Sequence, residues 1–463
     1  MRRSLLLVAG LVAIAPGQWS EPVVLGDSCS SWAAGPVLVP AGRDTIWAVW
    51  KRHSWDYRSL IVARRFAGDS WSAVERLTPD SSCFNYPAGI LDDSGRVLVA
   101  YYHGSYPVSG LSEQDSWGIF TVTRTDTGWT RPQLVHEMMI GERLPFDIRL
   151  GCDQRGGIGM VWEEGSGGIH HTGSVMLSRR TQQGWTPRQR LAVGSADISY
   201  GWASLIPGDT TDFYLAFAGM RLQPPYACTV QVWTVNDTLV AGPTSFAGGR
   251  ARLARTEERR HLVFRWGDTL LGSVNRGSGW ETPVVVGTGL GYGAPALAAD
   301  SLGLAWMSWT DSLGQVVQAS YYAGSYWSSP ETVALCQDGS NPQIASDEYG
   351  RIHCCWLAAG TGGLASIRWA YRLIRPGVEE LSPAAGFRRK PRATIVRGCL
   401  LLPEAVGGER SAASAMLLDI TGRKVMDLHP GANDIRHLSP GVYFVRYADG
   451  GARSAVQKVI SQR

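Results

Sequence analysis

Two stretches of sequence decide the fold, SWSAVERL (residues 70–77) and ILDDSGRVLVAYY (residues 90–102), because both recur along the chain. The first stretch combines a turn, a tryptophan and a short strand. Its copies begin at Trp19, Trp71, Trp129, Trp185, Trp280 and Trp327, and a seventh copy without its tryptophan lies near Gly242 and Pro243. Copies spaced roughly 40 to 60 residues apart are typical of repeat architectures, in which each repeat is one supersecondary unit.

The second stretch is an apolar strand, an Asp-x-x-Gly turn and another strand that ends in an aromatic residue. Its clearest copies occupy residues 90–102, 151–162, 297–309 and 344–356. A further apolar strand comes next, as in residues 118–125. The repeating unit is therefore four short strands, which predicts one blade of a β-propeller.

Counting the copies predicts the size of the ring. If the tryptophan phrase is the outermost strand of the preceding blade, the phrase from Trp19 completes the last blade, whose three inner strands come from residues 342–373. Seven phrases and seven triplets of strands then leave no unpaired sheet edge. We predict an all-β fold with a seven-bladed β-propeller over residues 18–373. The alternative is a six-bladed ring in which the degenerate copy is an insertion.

The repeated residues have a structural interpretation. We expect the tryptophan to pack between blades, and the aspartate to cap a tight turn whose glycine takes a positive φ. The units resemble the degenerate Asp-box repeats of the sialidase superfamily and the repeats of bacterial seven-bladed propeller lectins. This resemblance covers roughly residues 19–373, and the intact box Ser-x-Asp-x-Gly-x-x-Trp is absent. It implies a propeller scaffold, with glycan binding or a sialidase-like glycosidase activity as expectations.

The N-terminus is typical of a secretory signal peptide. Arg2 and Arg3 precede an apolar run from Leu5 to Ala15, and cleavage before Gln18 would remove residues 1–17. The run is too short to span a bilayer, which takes about 20 apolar residues, and no later segment predicts a transmembrane helix. We expect an exported protein, secreted or held on the outer surface of a Gram-negative-type bacterium. A formal net charge of +4 over 463 residues gives no reason to expect nucleic-acid binding.

The blade pattern ends near Leu373, and a linker rich in proline and charge follows over residues 374–393. Residues 394–463 contain short alternating strands, including LLDITGRKV, LSPGVYFVR and the terminal QKVI. This region resembles the C-terminal sorting domain of type IX secretion cargo, which implies a small β-sandwich recognised by an outer-membrane type IX translocon. The resemblance assigns fold or recognition roles to Gly422, Gly441, Tyr443 and Lys458. The alternative is a plain β-sandwich binding module.

Eight cysteines in an exported chain are able to form disulfides. The loops that carry Cys83 and Cys336 belong to the two neighbours of the blade reached from Cys29, so we predict that Cys29 bonds one of these two. No Cys/His ligand spacing is present in the sequence, and we predict neither a metal site nor a cofactor.

A ligand site is predicted on the face where the second and third strands of each blade connect. These loops are long in blades 1 to 4, and long loops on a rigid scaffold usually carry function. Stacking aromatics with polar neighbours suit a sugar or a peptide. The ligand-binding candidates are Trp32, Trp55, Tyr57, Tyr86, Phe146, Tyr200, Trp202, Arg221 and Tyr292. The weaker catalytic candidates are the loop carboxylates Asp56, Asp115, Glu163 and Glu164.

Three functions remain open from the sequence. The favoured one is a non-catalytic, exported binding module for a glycan or a peptide. The second is a sialidase-like glycoside hydrolase, which would need two carboxylates about 5 to 10 Å apart. The third is a structural or envelope protein whose rigid disc joins partners.

Overall fold

A computed structural model of the chain forms two compact units, Met1–Val378 and Glu379–Arg463, so the division falls inside the predicted linker. The structure describes residues 18–28, 35–42, 44–53, 59–78, 84–104, 117–138, 144–165, 173–209, 212–236, 238–291, 293–300, 303–359, 365–374, 394–397, 399–402, 415–419, 423–429, 431–436, 438–439, 441–447 and 456–462. Every regular secondary-structure element assigned in these residues is a β-strand.

The strands of the first unit follow the predicted repeat. The first strands are β1 (Val23–Ser28) and, in blade 1, β2 (Val37–Pro40), β3 (Thr45–His53), β4 (Ser59–Ala67), β5 (Ser70–Trp71) and β6 (Glu75–Arg76). Blade 2 contains β7 (Phe84–Leu91), β8 (Val97–His103), β9 (Trp117–Thr125), β10 (Gly128–Trp129) and β11 (Gln133–Met138). Blade 3 contains β12 (Leu144–Cys152), β13 (Ile158–Gly165), β14 (Ser174–Thr181), β15 (Gly184–Trp185) and β16 (Gln189–Ala192). Blade 4 contains β17 (Ile198–Pro207), β18 (Phe213–Arg221), β19 (Cys228–Val235) and β20 (Leu239–Ala247). Blade 5 contains β21 (Gly249–Arg255), β22 (Arg260–Trp266), β23 (Thr269–Asn275) and β24 (Val284–Gly287). Blade 6 contains β25 (Ala296–Ala299), β26 (Ala305–Thr310), β27 (Val316–Tyr322) and β28 (Glu331–Leu335), and blade 7 contains β29 (Ser340–Ser346), β30 (Arg351–Ala359) and β31 (Ala365–Leu373).

These strands form seven antiparallel sheets within the described residues, each ordered from an innermost to an outermost strand. The innermost strands β2, β7, β12, β17, β21, β25 and β29 contact one another in that order, and β29 contacts β2. β1 pairs with β31, so the N-terminal phrase completes blade 7 as predicted. The degenerate copy near Gly242 forms β20, the outermost strand of blade 4, and is not an insertion. The prediction of an all-β propeller is confirmed.

The Asp-x-x-Gly turns have the predicted structural role. Asp92 accepts hydrogen bonds from the backbone N–H of Ser94 and Arg96 at 3.0 and 2.9 Å, and Gly95 takes φ 73°. The same capping recurs at Asp153, Asp300 and Asp347. These turns join first to second strands, so the connections between second and third strands lie on the opposite face of the ring. We call that opposite face the mouth face.

The repeated tryptophans pack between blades, as predicted. Trp129 of blade 2 meets Trp47 of blade 1 edge-on at 5.4 Å, and its indole N–H donates to Glu75 at 2.9 Å. Trp71 of blade 1 likewise meets Trp369 of blade 7 edge-on at 5.1 Å. Burial of these rings between adjacent sheets supplies apolar area where the blades diverge from the central axis.

The described residues of the second unit form two sheets. Its strands are β32 (Thr394–Arg397), β33 (Cys399–Leu402), β34 (Ala415–Leu418), β35 (Lys424–Leu428), β36 (Gly431–Asp434), β37 (Gly441–Tyr447) and β38 (Val456–Gln462). The larger sheet has the order β32-β38-β37-β34-β35, and β33 pairs with β36. Buried Leu400, Leu417, Leu428, Ile435 and Val445 form a core that includes residues of both sheets.

Candidate functional site

Among the described residues, five innermost strands begin with a β-bulge at the mouth face. In each bulge two residues of the innermost strand oppose one residue of the second strand, as between Gly249 and Arg252 of β21, which pair with Arg265 and Val263. The first bulged residues are Tyr86, Asp147, Trp202, Arg250 and Asn341. A bulge bends its strand and redirects a side chain, so the repeat places variable residues around the mouth of the central channel.

Four of these residues have a left-handed backbone conformation. The φ angles are 44° at Asp147, 54° at Trp202, 53° at Arg250 and 48° at Asn341. Such angles are uncommon for residues with a side chain, and for a bulky tryptophan or arginine each costs of the order of 1 to 3 kcal/mol. Strain of this kind is often found at binding sites. The first three positions belong to consecutive blades, so the left-handed residues are concentrated in blades 3 to 5.

Asp147 lies between two arginines. Its carboxylate is 2.7 Å from the guanidinium of Arg149 and 3.5 Å from that of Arg252. Burial alone would raise the pKa of Asp147, but Arg149 and Arg252 outweigh it and hold that pKa below its ordinary value. Burial, together with Arg149, lowers the pKa of Arg252 to about 10. Asp147 is therefore a fixed negative charge that organises two cations at the channel mouth.

Glu163 lies beside this group in a recess made by two glycines. A Cβ atom at Gly201 would stand 2.1 Å from one carboxyl oxygen of Glu163, and a Cβ at Gly173 would stand 2.7 Å from the other. Burial, then the charge of Asp147, raises the pKa of Glu163 to about 7, against a hydrogen bond from the backbone N–H of Trp202. The Glu163 carboxyl is therefore close to half-protonated at neutral pH, and it is able to donate or accept a proton there.

Trp202 and Arg250 complete the group on the side of blade 5. The guanidinium of Arg250 lies 5.6 Å from the centre of the Trp202 ring, which is a cation–π distance. Burial, then the like charge of Arg265, lowers the pKa of Arg250. We call Asp147, Arg149, Glu163, Trp202, Arg250 and Arg252 the mouth cluster. It combines one aromatic ring, three guanidinium groups and two carboxyl groups.

Two predicted site residues belong to the mouth cluster, Glu163 and Trp202. Glu164 does not, because alternation along β13 turns it toward blade 2. There the buried Glu164 accepts hydrogen bonds from Trp162 Nε1 and Arg188, both at 2.9 Å. The catalytic role of Glu164 stays a prediction, and the structure places this residue apart from the mouth cluster.

The other predicted residues that the structure describes lie outside the mouth cluster. Tyr200 packs edge-on against Phe217 at 5.6 Å, in the core between blades 3 and 4, and Arg221 is exposed at the end of β18. In the second unit, Tyr443 donates a hydrogen bond to the backbone of Ser439 at 2.8 Å, and a Cβ at Gly441 would lie 3.8 Å from the Tyr443 ring.

Several predictions concern residues that are not described. Trp32, Trp55, Asp56, Tyr57, Asp115, Tyr292, Gly422, Cys29 and Cys83 lie outside the described residues, as do the side chains of Tyr86, Phe146 and Lys458. Cys336, one of the two predicted partners of Cys29, carries a free thiol 3.3 Å from the carbonyl oxygen of Gly314. The pairing of Cys29 with Cys83 stays a prediction.

Sequence reasoning missed Asp147, Arg149, Arg250 and Arg252. The available signal was their common position, in FDIRL (146–150) and GRARL (249–253), directly ahead of the apolar part of an innermost strand. In the part of the chain that the structure describes, no three acidic, histidine or cysteine side chains gather as a metal site requires. A search of the same residues finds no helix with the length and apolar character of a membrane span.

Comparisons with known proteins give a fold and no family. No protein-family model matches the chain, and no curated protein sequence does. Among solved structures, polysaccharide lyase Uly1 aligns with a TM-score of 0.50 at 9% identity, covering 80% of this chain and 94% of that one. The arabinofuranosidase Arb93A of Fusarium graminearum (TM-score 0.45, 10% identity, 77% and 99% covered) and the intramolecular trans-sialidase of Ruminococcus gnavus (0.41, 10%, 76% and 96%) also align. At such identities the likeness concerns the fold alone.

The raised pKa of Glu163 predicts a pH dependence of stability. Between an ordinary pKa of 4.5 and a folded pKa of about 7, the folded chain holds a proton that the unfolded chain has lost. Stability therefore falls as pH rises through this window, by about 3 kcal/mol from this group. We expect Glu163→Gln, which stays neutral, to be stabilised relative to the natural chain at about pH 8 more than at about pH 5.

Urea denaturation at both pH values measures this difference. Glu137→Gln, at an exposed position of β11, is the matched control and should follow the natural chain. Equal pH dependence in all three proteins would mean that Glu163 ionises normally in the folded state.

Proposed function

We propose that this chain is an exported glycan-binding propeller whose ligand occupies the mouth cluster. The observation that carries the proposal is the convergence of three strained bulges, at Asp147, Trp202 and Arg250, on one end of the channel. A sugar presents apolar C–H faces and polar hydroxyl groups, and it is held by an aromatic ring with fixed donors around it. Trp202 offers the ring, and the guanidinium groups of Arg149 and Arg250 offer the donors.

The backbone strain in the mouth cluster favours a ligand site over a purely structural role. Three left-handed side-chain-bearing residues cost several kcal/mol of stability together. Neither Trp202 nor Arg250 is buried deeply enough to belong to the cores between blades. Backbone strain that is not offset by burial of the side chain in a core is typical of preorganised binding sites. Polysaccharide lyase Uly1, whose name states a glycan substrate, has the same fold, and a glycan is accordingly the ligand class we propose.

Export is part of the proposal. Residues 1–17 have the composition of a signal peptide, and residues 394–463 resemble the sorting domain of type IX secretion cargo. We propose that the second unit takes the chain to the type IX translocon of an outer membrane, and that the propeller acts outside the cell. Loss of secretion on deleting residues 394–463, with the propeller retained in the periplasm, would support this route.

Binding is tested on a glycan array with the full chain and two variants. We expect the natural chain to bind at least one glycan, and Trp202→Ala and Arg250→Ala to weaken that binding about tenfold or more. Tyr349→Ala is the control, because Tyr349 is 67% exposed on an Asp-x-x-Gly turn of the opposite face. An array without any bound glycan, or binding that Tyr349→Ala weakens as much as Trp202→Ala does, would contradict the proposal.

Glycoside hydrolysis is the second candidate function, and one observation favours it. The pKa of Glu163 is raised while that of neighbouring Asp147 is lowered. Two carboxyl groups with their pKa values pushed apart are what acid–base cleavage of a glycosidic bond uses. A panel of fluorogenic glycosides tests it: release of the fluorophore by the natural chain, lost in Glu163→Gln, would assign the hydrolysis to this site.

A further inference from the structure

The seam between blades 4 and 5 extends outward from the mouth cluster and lacks side chains at its floor. Gly248 donates a backbone hydrogen bond to Cys228 of blade 4 at 2.8 Å. A Cβ at Gly249 would stand 2.7 Å from the sulfur of Cys228 and 3.7 Å from the Trp202 ring. These two glycines let the blades approach closely next to Trp202, where a residue with a side chain would not fit.

Two strongly exposed aromatic residues flank this seam. Tyr226 is 75% exposed on the loop between β18 and β19, two residues before Cys228. Trp266 is 60% exposed at the end of β22, next to Arg265, which pairs directly with Gly249. Tyr226 is two residues from Cys228 and Trp266 is one residue from Arg265, so the backbone of each lies close to the floor of the seam. Both are on the mouth face, where their apolar surfaces meet solvent.

The backbone holds Trp266 firmly. It pairs with Thr269 across a two-residue turn, Gly267–Asp268, in which Gly267 takes φ 62°. The adjacent Arg265 donates from its guanidinium to the carbonyl oxygen of Gly291 at 2.6 Å and also to that of Gly267. An aromatic residue whose backbone is fixed in a tight turn has little backbone entropy to lose when a ligand stacks on it, and its side chain has only two rotatable angles.

Two cations lie at the inner end of the seam, Arg250 next to Trp202 and Arg265 on the side of blade 6, and neither forms an ion pair with a carboxylate among the described residues. Arg250 and Arg265 lie close enough that the charge of Arg265 lowers the pKa of Arg250. The Arg265 guanidinium is bonded to the carbonyl oxygens of Gly267 and Gly291, and Arg250 lies against the Trp202 ring, where the charge of Asp147 offsets part of its own. Two like charges held together in a half-buried position gain from a bound anion, because the anion offsets both their repulsion and their desolvation.

We propose that the seam binds an anionic polysaccharide, with one sugar at the mouth cluster, an acidic group at Arg250 and Arg265, and the following sugars between Tyr226 and Trp266. This inference rests on the proposed glycan-binding function and adds the class of ligand. A lone sugar would fill the mouth cluster and leave both exposed rings uncovered. A chain with carboxylate or sulfate groups would set charge against the two arginines and sugar faces against the exposed rings.

The experiment compares polymers with their building blocks on the full chain. The acidic probes are polygalacturonate and alginate, which carry carboxylates, and carrageenan, which carries sulfates. The neutral probes are fully methyl-esterified polygalacturonate and xylan. We expect at least one acidic polymer to bind about tenfold or more tightly than its monosaccharide, to lose affinity as ionic strength rises, and to exceed both neutral polymers.

Variants of the two exposed rings distinguish polymer binding along the seam from monosaccharide binding at the mouth cluster. Trp266→Ala and Tyr226→Ala should each weaken binding of the polymer about threefold to tenfold and leave monosaccharide binding unchanged. Tyr326→Ala, at a residue 55% exposed on the opposite face, should change neither. Equal affinity for polymer and monosaccharide, preference for a neutral polymer, or no effect of Trp266→Ala would overturn the seam and leave glycan binding standing. Failure of every acidic polymer to bind would also overturn the seam, whereas rejection of the glycan-binding function itself requires the glycan array to be empty as well.

Discussion

A chain that lacks residues 18–28 is expected to lose its cooperative unfolding transition or to unfold at a far lower temperature. These residues supply β1, the outermost strand of blade 7, and without it the edge of β31 is open. Leu25, 2% exposed, leaves a core shared by blades 7 and 1, and Ser20 no longer bonds the backbone of Tyr371 at 2.7 Å. Loss of a buried leucine alone costs about 2 to 5 kcal/mol, within a total stability of about 5 to 15 kcal/mol.

Two point variants on β1 refine this prediction. Leu25→Ala should lower the free energy of unfolding by about 2 to 5 kcal/mol, whereas Val24→Ala, at a side chain 52% exposed, should change it by less than about 0.5 kcal/mol. Thermal and urea denaturation with an aggregation readout measures all three proteins. A deletion variant as stable as the natural chain would mean that β1 does not close the ring.

The second large effect is expected for Asp147→Asn. Asparagine tolerates the left-handed φ of 44°, so the substitution removes the charge and leaves the backbone conformation intact. Arg149 and Arg252 then share a half-buried site without their counterion, and Arg252 is buried. Removing one partner of a buried ion pair costs about 3 to 5 kcal/mol, and because Asp147 is partly exposed we expect the lower end of that range.

Chemical denaturation measures this loss against an exposed pair. Arg276 and Glu281 lie 2.6 Å apart with side chains 41% and 48% exposed, so Glu281→Gln should cost less than about 1 kcal/mol. Comparable losses for Asp147→Asn and Glu281→Gln would show that the mouth cluster is solvated and that its charges are independent. Asp147→Asn should also weaken glycan binding, since Arg149 and Arg252 would no longer be held in place.

The architecture was predictable because its signals are local and repeated. A tryptophan that packs between sheets and an aspartate that caps a turn recur at fixed places, and the phrase from Trp19 needed a partner sheet that only the end of the repeat array could supply. The capped turn at Asp92 and the edge-on contact of Trp71 with Trp369 follow from these patterns. Because these residues recur once in each blade, their positions in the sequence predict the scaffold.

The site was less predictable because it depends on departures from that pattern. A bulge shifts the register by one residue, so it moved Asp147 to the site, whereas sequence reasoning chose Phe146 beside it. Alternation along β13 separated Glu163 from Glu164, two neighbours that the sequence could not rank. The pairing of Asp147 with Arg252 joins residues from different blades, and nothing local in either segment indicates it.

The most direct measurement is an experimental structure of the chain with a bound oligosaccharide chosen from the array. The proposed function predicts a sugar ring against Trp202, with hydroxyl or acidic groups within hydrogen-bond distance of Arg250 and Arg149. A ligand on the opposite face, or at the rim between blades 7 and 1 beside Trp71 and Tyr371, where the surface forms a cavity of about 390 Å³, would contradict it.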